Sequence, residues 1–204
     1  MAKAAAVCVF CGSHFGADSV YREAAARLGR HLAESGTRLV YGGGGIGLMG
    51  ALAVATHDAG GHVCGILPRA LARQELQYAD ADRKIVTETM HQRKQKMFDL
   101  SDAFVVLPGG IGTLEETVEI LSWAYLDFHR KPVVLVNIAG YWDSFLALVR
   151  HMIERDFARP DLLESGSQRG LMHVVESVDE VLPLLNRLLK ERGETAETVS
   201  SSAY

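Results

Sequence analysis

The stretch Pro108-Gly109-Gly110-Ile111-Gly112-Thr113-Leu114-Glu115-Glu116 combines the residue types best suited to chemistry in this chain. Glycines let backbone N–H groups come close to an anion, and a helix starting just beyond them adds about half a positive charge. Thr113 can contribute a hydroxyl. The spacing puts Glu115 and Glu116 in the first turn of that helix, where two readings stay open. Thr113-x-x-Glu116 matches a capping box, and acids there complement the helix dipole. A carboxylate in the same place could also face a bound ligand and act on it.

Two other segments could help. Gly42–Gly50, GGGGIGLMG, holds G-x-G-x-x-G at Gly45, Gly47 and Gly50. It follows the second predicted strand rather than the first, and the third strand runs into Pro68 with no acid for a ribose, so a dinucleotide site is disfavoured. It also lacks the Gly-Lys-Ser/Thr of an NTPase loop. It can hold an anion jointly with the first stretch, or it can be a tight turn with close helix packing. Met90-His91-Gln92-Arg93-Lys94 supplies countercharge. On a helix Met90 and Lys94 share a face, while Arg93 lies nearer the face of Met97. Arg suits bidentate phosphate contact, but a solvated basic face is the alternative.

Several chemistries are disfavoured. The eight His show no helical His–Glu metal pattern, so no metal is expected, and no G-x-S-x-G elbow occurs. Cys8-x-x-Cys11 is a lone pair without a second to complete a zinc site, and buried small residues are the expectation. A net charge of −4 offers nucleic acid or anionic membrane no global attraction. The longest apolar runs fall short of the roughly 18 residues of a span. A cytoplasmic protein fits best.

The elements that must position these residues alternate short β-branched runs with helical stretches, the pattern of a doubly wound α/β domain with a mainly parallel sheet. Strands are predicted near 5–10, 37–41, 62–67, 84–86, 103–107, 132–137 and 172–175. Helices are predicted near 19–34, 47–59, 90–100, 113–126, 141–155 and from the Ser177-x-x-Glu180 cap to about 192. Residues 69–82 read as a functional loop or flap. One Rossmann-like domain over 1–192 is expected, with a disordered tail at 193–204. All three Gly-containing segments, counting Cys11–His14, then fall at the carboxyl ends of strands, where open α/β sheets bind ligands.

Taken together, GGGGIGLMG, MHQRK and PGGIGTLEE resemble the LOG ("Lonely Guy") family, cytokinin riboside 5′-monophosphate phosphoribohydrolases often labelled possible lysine decarboxylases. The likeness runs from CVFCGS to about residue 190. It implies a Rossmann-like fold, a homodimer or higher homo-oligomer with a site near the subunit interface, and no cofactor. The implied reaction cleaves the N-glycosidic bond of a nucleoside 5′-monophosphate, AMP or an N6-modified AMP, to free base and ribose 5-phosphate. Arg93 and Glu116 match the family's catalytic pair. Lys94 and Glu115 fall at supporting positions. Ser13, Gly43, Gly44, Met90, Gly109, Gly110, Gly112 and Thr113 fall with its substrate-binding positions. His14 departs from the pattern, since many members carry a second Ser there. The helix after the motif offers Ile120, Leu121, Ala124 and Tyr125 for an interface.

Two alternatives accompany that implication. A non-catalytic nucleotide sensor or carrier would keep the Gly loops but has no need for Arg93 with Glu116. A pyridoxal-phosphate decarboxylase would need a Schiff-base Lys. Lys94 is the nearest, and Arg93 beside it is expected to lower its pKa.

Overall fold

The apolar runs form one parallel sheet in a computed structural model that describes residues 5–72, 81–163 and 170–201, the side chains of 72 and 193–201 excepted. The strands are β1 (Ala6–Phe10), β2 (Arg38–Tyr41), β3 (Val63–Pro68), β4 (Arg83–Thr87), β5 (Ala103–Val106), β6 (Val133–Val136) and β7 (His173–Val175). The helices are α1 (Ser19–Glu34), α2 (Gly47–Asp58), α3 (Arg69–Ala72), α4 (Met90–Asp99), α5 (Ile111–Tyr125), α6 (Asp143–Glu154) and α7 (Val181–Ser201). Helix α1 starts where Asp18 accepts the Val20 N–H at 3.0 Å, the N-cap its sequence calls for.

Strand order is β4-β3-β2-β1-β5-β6-β7, with every neighbouring pair parallel. From β1 the chain winds outward to β4, then returns to place β5 on the other side of β1. The β1/β5 boundary is therefore the switch point, where outgoing loops diverge and leave a crevice. The central strands β1, β5 and β6 are buried along their full length, which explains their unbroken apolar sequences. Val7, Val9 and Cys11 join one helix layer; Ala6, Cys8 and Phe10 join the other. Cys8 and Cys11 thus point to opposite sides of the sheet, because an odd spacing along extended backbone changes face. Both are free thiols in the core.

Three expectations are revised. The last helix continues past Arg192 to Ser201, since one Gly in a run of helix formers weakens a helix without ending it. Ile120, Leu121 and Ala124 are core residues, because that face of α5 packs on the sheet, and Tyr125 is half-buried; exposed apolar side chains on or just after the helix include Ile111, Val118, Leu126 and Phe128. Of the expected flap, residues 69–72 form α3, and 73–80 lie outside the described residues.

The tight-turn reading of the second Gly segment holds at Gly47. Its φ is +62°, and a Cβ there would lie 2.2 Å from the Ser13 carbonyl carbon, so a side chain meets backbone as well as strain. Gly47→Ala should cost about 2–4 kcal/mol in urea unfolding. Gly60, at φ +78° but with open space around it, should lose only about 1 kcal/mol on the same change.

Candidate active site

Arg93 and Met97 are the buried residues of α4. The Arg93 guanidinium enters the interior between three elements. Its Nε donates to the Ile66 carbonyl of β3 at 3.1 Å, and its Nη1 donates to Glu116 Oε1 of α5 at 2.6 Å. Its Nη2 lies against the end of β2, where a Cβ on Gly42 would come within 2.4 Å of it. Glu116 is 8% exposed and Arg93 7%, so this is an interior ion pair rather than a surface one.

The capping-box reading of Glu116 is overturned. Helix α5 begins at Ile111, with Gly110 as its N-cap, two residues ahead of the expected start. Thr113 is then the third helical residue and Glu116 the sixth, and the first turn holds no acid. Freed from capping, Glu116 turns inward. Burial raises its pKa above the ordinary carboxylate value, and the charge and hydrogen bond of Arg93 take back only part of that rise. A carboxylate whose proton affinity is raised in this way is suited to exchanging a proton with a bound ligand or water.

Lys94, on the neighbouring face, bonds Glu115 Oε1 at 2.5 Å and Glu119 Oε1 at 2.9 Å. Burial opposes its charge, but the two carboxylates outweigh burial and its pKa is raised. The expected lowering by Arg93 is therefore corrected: the acids of α5 dominate. Burial first, then Glu116, pushes the Cys11 thiol up, and burial does the same to Cys8; neither holds a reactive thiolate.

The two Gly segments prove unequal. At the start of α2 the N–H groups of Leu48 and Met49 both donate to the Gly12 carbonyl, at 3.1 and 3.3 Å. That helix end is closed by protein. At the start of α5 no protein acceptor among the described residues meets the N–H groups of Ile111, Gly112 or Thr113. These amides can serve an anion. Beside them a cavity of about 210 Å³ opens at the switch point, lined among others by Gly12, Ser13, Gly109, Gly110, Tyr21 and Tyr141. Glu116 lies six residues along α5 from Gly110, about 9 Å of helix axis.

The singled-out residues are not all brought together. Ser13, Gly109 and Gly110 line the cavity. Ser13 Oγ is 3.3 Å from Nδ1 of His14, which also lines it. Thr113 is buried with its hydroxyl against Gly109, where a Cβ would lie 2.1 Å from Oγ1; the loop needs a glycine there. Gly112 is exposed on α5. Arg93 and Glu116 form a second, interior group, buttressed by Lys94 and Glu115. Gly43 packs on Leu67, Gly44 is buried, and Met90 is 43% exposed at the start of α4; none of the three lines the cavity. Sequence reading named Gly42 and Gly12 only as members of candidate segments, and it missed Tyr21 and Tyr141. Gly42 opens the Gly42–Gly50 segment and Gly12 belongs to Cys11–His14, whereas no local signal marks the tyrosines.

A doubly wound parallel sheet with its crevice at the β1/β5 switch point defines a Rossmann-like α/β protein. Residues 49–185 match the family described as possible lysine decarboxylase. The cytokinin riboside 5′-monophosphate phosphoribohydrolase LOG3 of Arabidopsis thaliana is 43% identical over 183 residues, covering 89% of this chain and 85% of that protein. LOG2 of the same plant is 39% identical over 188 residues, covering 92% and 85%. The Moco carrier protein of Chlamydomonas reinhardtii shares the fold, with a TM-score of 0.68 at 22% identity over 93% of this chain and 99% of that one. The chain belongs to the LOG family.

Proposed function

We propose that this protein hydrolyses the N-glycosidic bond of a nucleoside 5′-monophosphate, AMP or an N6-modified AMP of the cytokinin riboside type, giving free base and ribose 5-phosphate. The observation that carries this is the buried ion pair, 2.6 Å long, between Arg93 of α4 and Glu116 of α5, the helix whose first amides are open to an anion. The substrate phosphate sits on the amides at the start of α5, beside Ser13 and the Gly109-Gly110 loop. The ribose then extends towards Glu116. Glycosidic cleavage passes through an oxocarbenium-like state, which a nearby carboxylate stabilises while orienting or deprotonating water. Arg93 holds Glu116 in one orientation and favours its ionised form. The reaction as written needs neither metal nor organic cofactor.

The protein acts as a homodimer or higher homo-oligomer in the cytoplasm. Among the described residues no helix is long and apolar enough to cross a membrane. The fold does not choose between enzyme and carrier; Arg93 with Glu116 favours the enzyme. Incubation with AMP and with N6-prenylated AMP, followed by chromatography, should release free base from one or both. Adenosine should react at least about 100-fold more slowly, since binding energy from the phosphate is lost. Tight nucleotide binding without base release would make the chain a sensor or carrier instead.

The decarboxylase description of the family gains no support from Lys94. An amine pinned between Glu115 and Glu119 with a raised pKa is a poor Schiff-base nucleophile. Purified protein mixed with pyridoxal phosphate should show no enzyme-bound absorbance near about 420 nm and no lysine decarboxylation. A bound chromophore lost in Lys94→Ala would reinstate that activity.

A further inference from the structure

Gly109 and Gly110 carry no side chains, so the peptide between them can turn over at little cost. For an anion its orientation decides everything. The N–H edge attracts phosphate and the C=O edge repels it. In this fold both carbonyls of the loop are tied up. Pro108 O accepts the Gly12 N–H at 3.0 Å, and Gly109 O accepts the Tyr141 hydroxyl at 2.5 Å. The peptide is trans, so holding the Gly109 carbonyl directs the Gly110 N–H the opposite way.

The chain around Tyr141 is itself held firmly. After β6, Ala139 (φ +51°) and Gly140 (φ +70°) both take left-handed backbone, which a non-glycine residue keeps only where its surroundings impose it. The buried Asn137 imposes it here. Its Oδ1 accepts the Trp142 N–H at 2.8 Å, and its Nδ2 donates to Asp143 Oδ1 at 2.9 Å. The Tyr141 ring meets Tyr21 of α1 edge-on at 5.5 Å and Trp142 at 5.0 Å. The ring also forms part of the cavity wall.

The geometry points to Tyr141 as a positioning residue for phosphate recognition: its hydroxyl holds the Gly109 carbonyl out of the anion site, keeping the loop's amide edge towards the ligand. This rests on the proposal that a nucleotide phosphate binds at the start of α5. It reaches beyond the LOG motif, because Tyr141 comes from the far side of β6, 32 residues from Gly109.

Tyr141→Phe keeps the ring contacts and removes only the hydroxyl. KM for AMP and Kd for ribose 5-phosphate should each rise about tenfold, with kcat changed less than about twofold. Adenosine affinity and the thermal midpoint should stay as in wild type. AMP and ribose 5-phosphate affinities within about twofold of wild type would overturn the role. So would an equal weakening of adenosine with a lowered midpoint, the mark of general loosening. Wild type that binds ribose 5-phosphate but releases no base removes the hydrolase reading, and the ribose 5-phosphate titration still decides the role of Tyr141. Wild type that binds neither AMP nor ribose 5-phosphate overturns both.

Discussion

Glu116→Gln should lower kcat for AMP hydrolysis by about 10³-fold or more while leaving nucleotide affinity within a few-fold of wild type. The amide keeps the shape of the side chain and an oxygen for the Arg93 Nη1 hydrogen bond, so the α4–α5 contact survives. What disappears is the negative charge that stabilises a cationic ribose and accepts a proton from water. The same charge sets the pH response. Because burial raises the Glu116 pKa, wild-type activity should fall on the acid side at a pH above that of an ordinary carboxylate. Single-turnover assays across pH, with isothermal titration of AMP, test both statements. Turnover in Glu116→Gln near the wild-type level would remove Glu116 from the mechanism.

Arg93→Ala should be the most damaging single change to stability, costing about 3–5 kcal/mol, because it strands a carboxylate that is only 8% exposed. The sign of its pH dependence follows from linkage. Losing Arg93 removes the leading effect that pulls the Glu116 pKa down, so the folded-state pKa rises further above its unfolded value. A group of that kind contributes stability at low pH and loses it as pH rises through the folded pKa. Arg93→Ala should therefore be less stable at about pH 8 than at about pH 5.5, whereas a plain cavity would give no such slope. Adding Glu116→Gln should flatten the slope and recover part of the loss, since the stranded charge is gone. Urea unfolding of the single and double variants at the two pH values measures this. A flat pH response in Arg93→Ala would show that Arg93 does not govern the charge on Glu116.

The two variants together separate chemistry from scaffolding. Glu116→Gln should remain folded and fail to turn over; Arg93→Ala should fail mainly through folding. Burial raises the Glu116 pKa by more than the charge and hydrogen bond of Arg93 lower it, so keeping this carboxyl ionised in the folded protein carries a cost. A buried pair kept at such cost is better explained by function.

Much of this molecule is legible along the chain. The β-branched runs, Asp18 ahead of α1 and the Ser177–Glu180 capping box are local signals, and the structure places elements at each. The helical spacing that set Arg93 beside Met97 and apart from Met90 is local too, and those two residues are the buried ones of α4. The error over Glu116 was also local. Thr113-x-x-Glu116 fits a capping box, but Gly110 starts the helix earlier, and a glycine N-cap leaves no side-chain signal to compete with a threonine.

By itself, then, the sequence determined the parallel α/β alternation, the family, and the short motifs that bear chemistry. Each depends on periodicity or on neighbours a few residues apart. Only the tertiary structure decided what those motifs do to one another. Arg93 meets Glu116 across 23 residues because α4 and α5 pack on the same sheet, and Tyr141 reaches Gly109 across 32 because β6 lies beside β5. The pairing of β1 with β2 brings the Gly12 carbonyl onto the start of α2, while no such acceptor among the described residues meets α5, so two glycine segments of similar composition end with opposite roles. Backbone donors look alike in sequence, and which of them stay free is settled by the acceptors that packing brings to them.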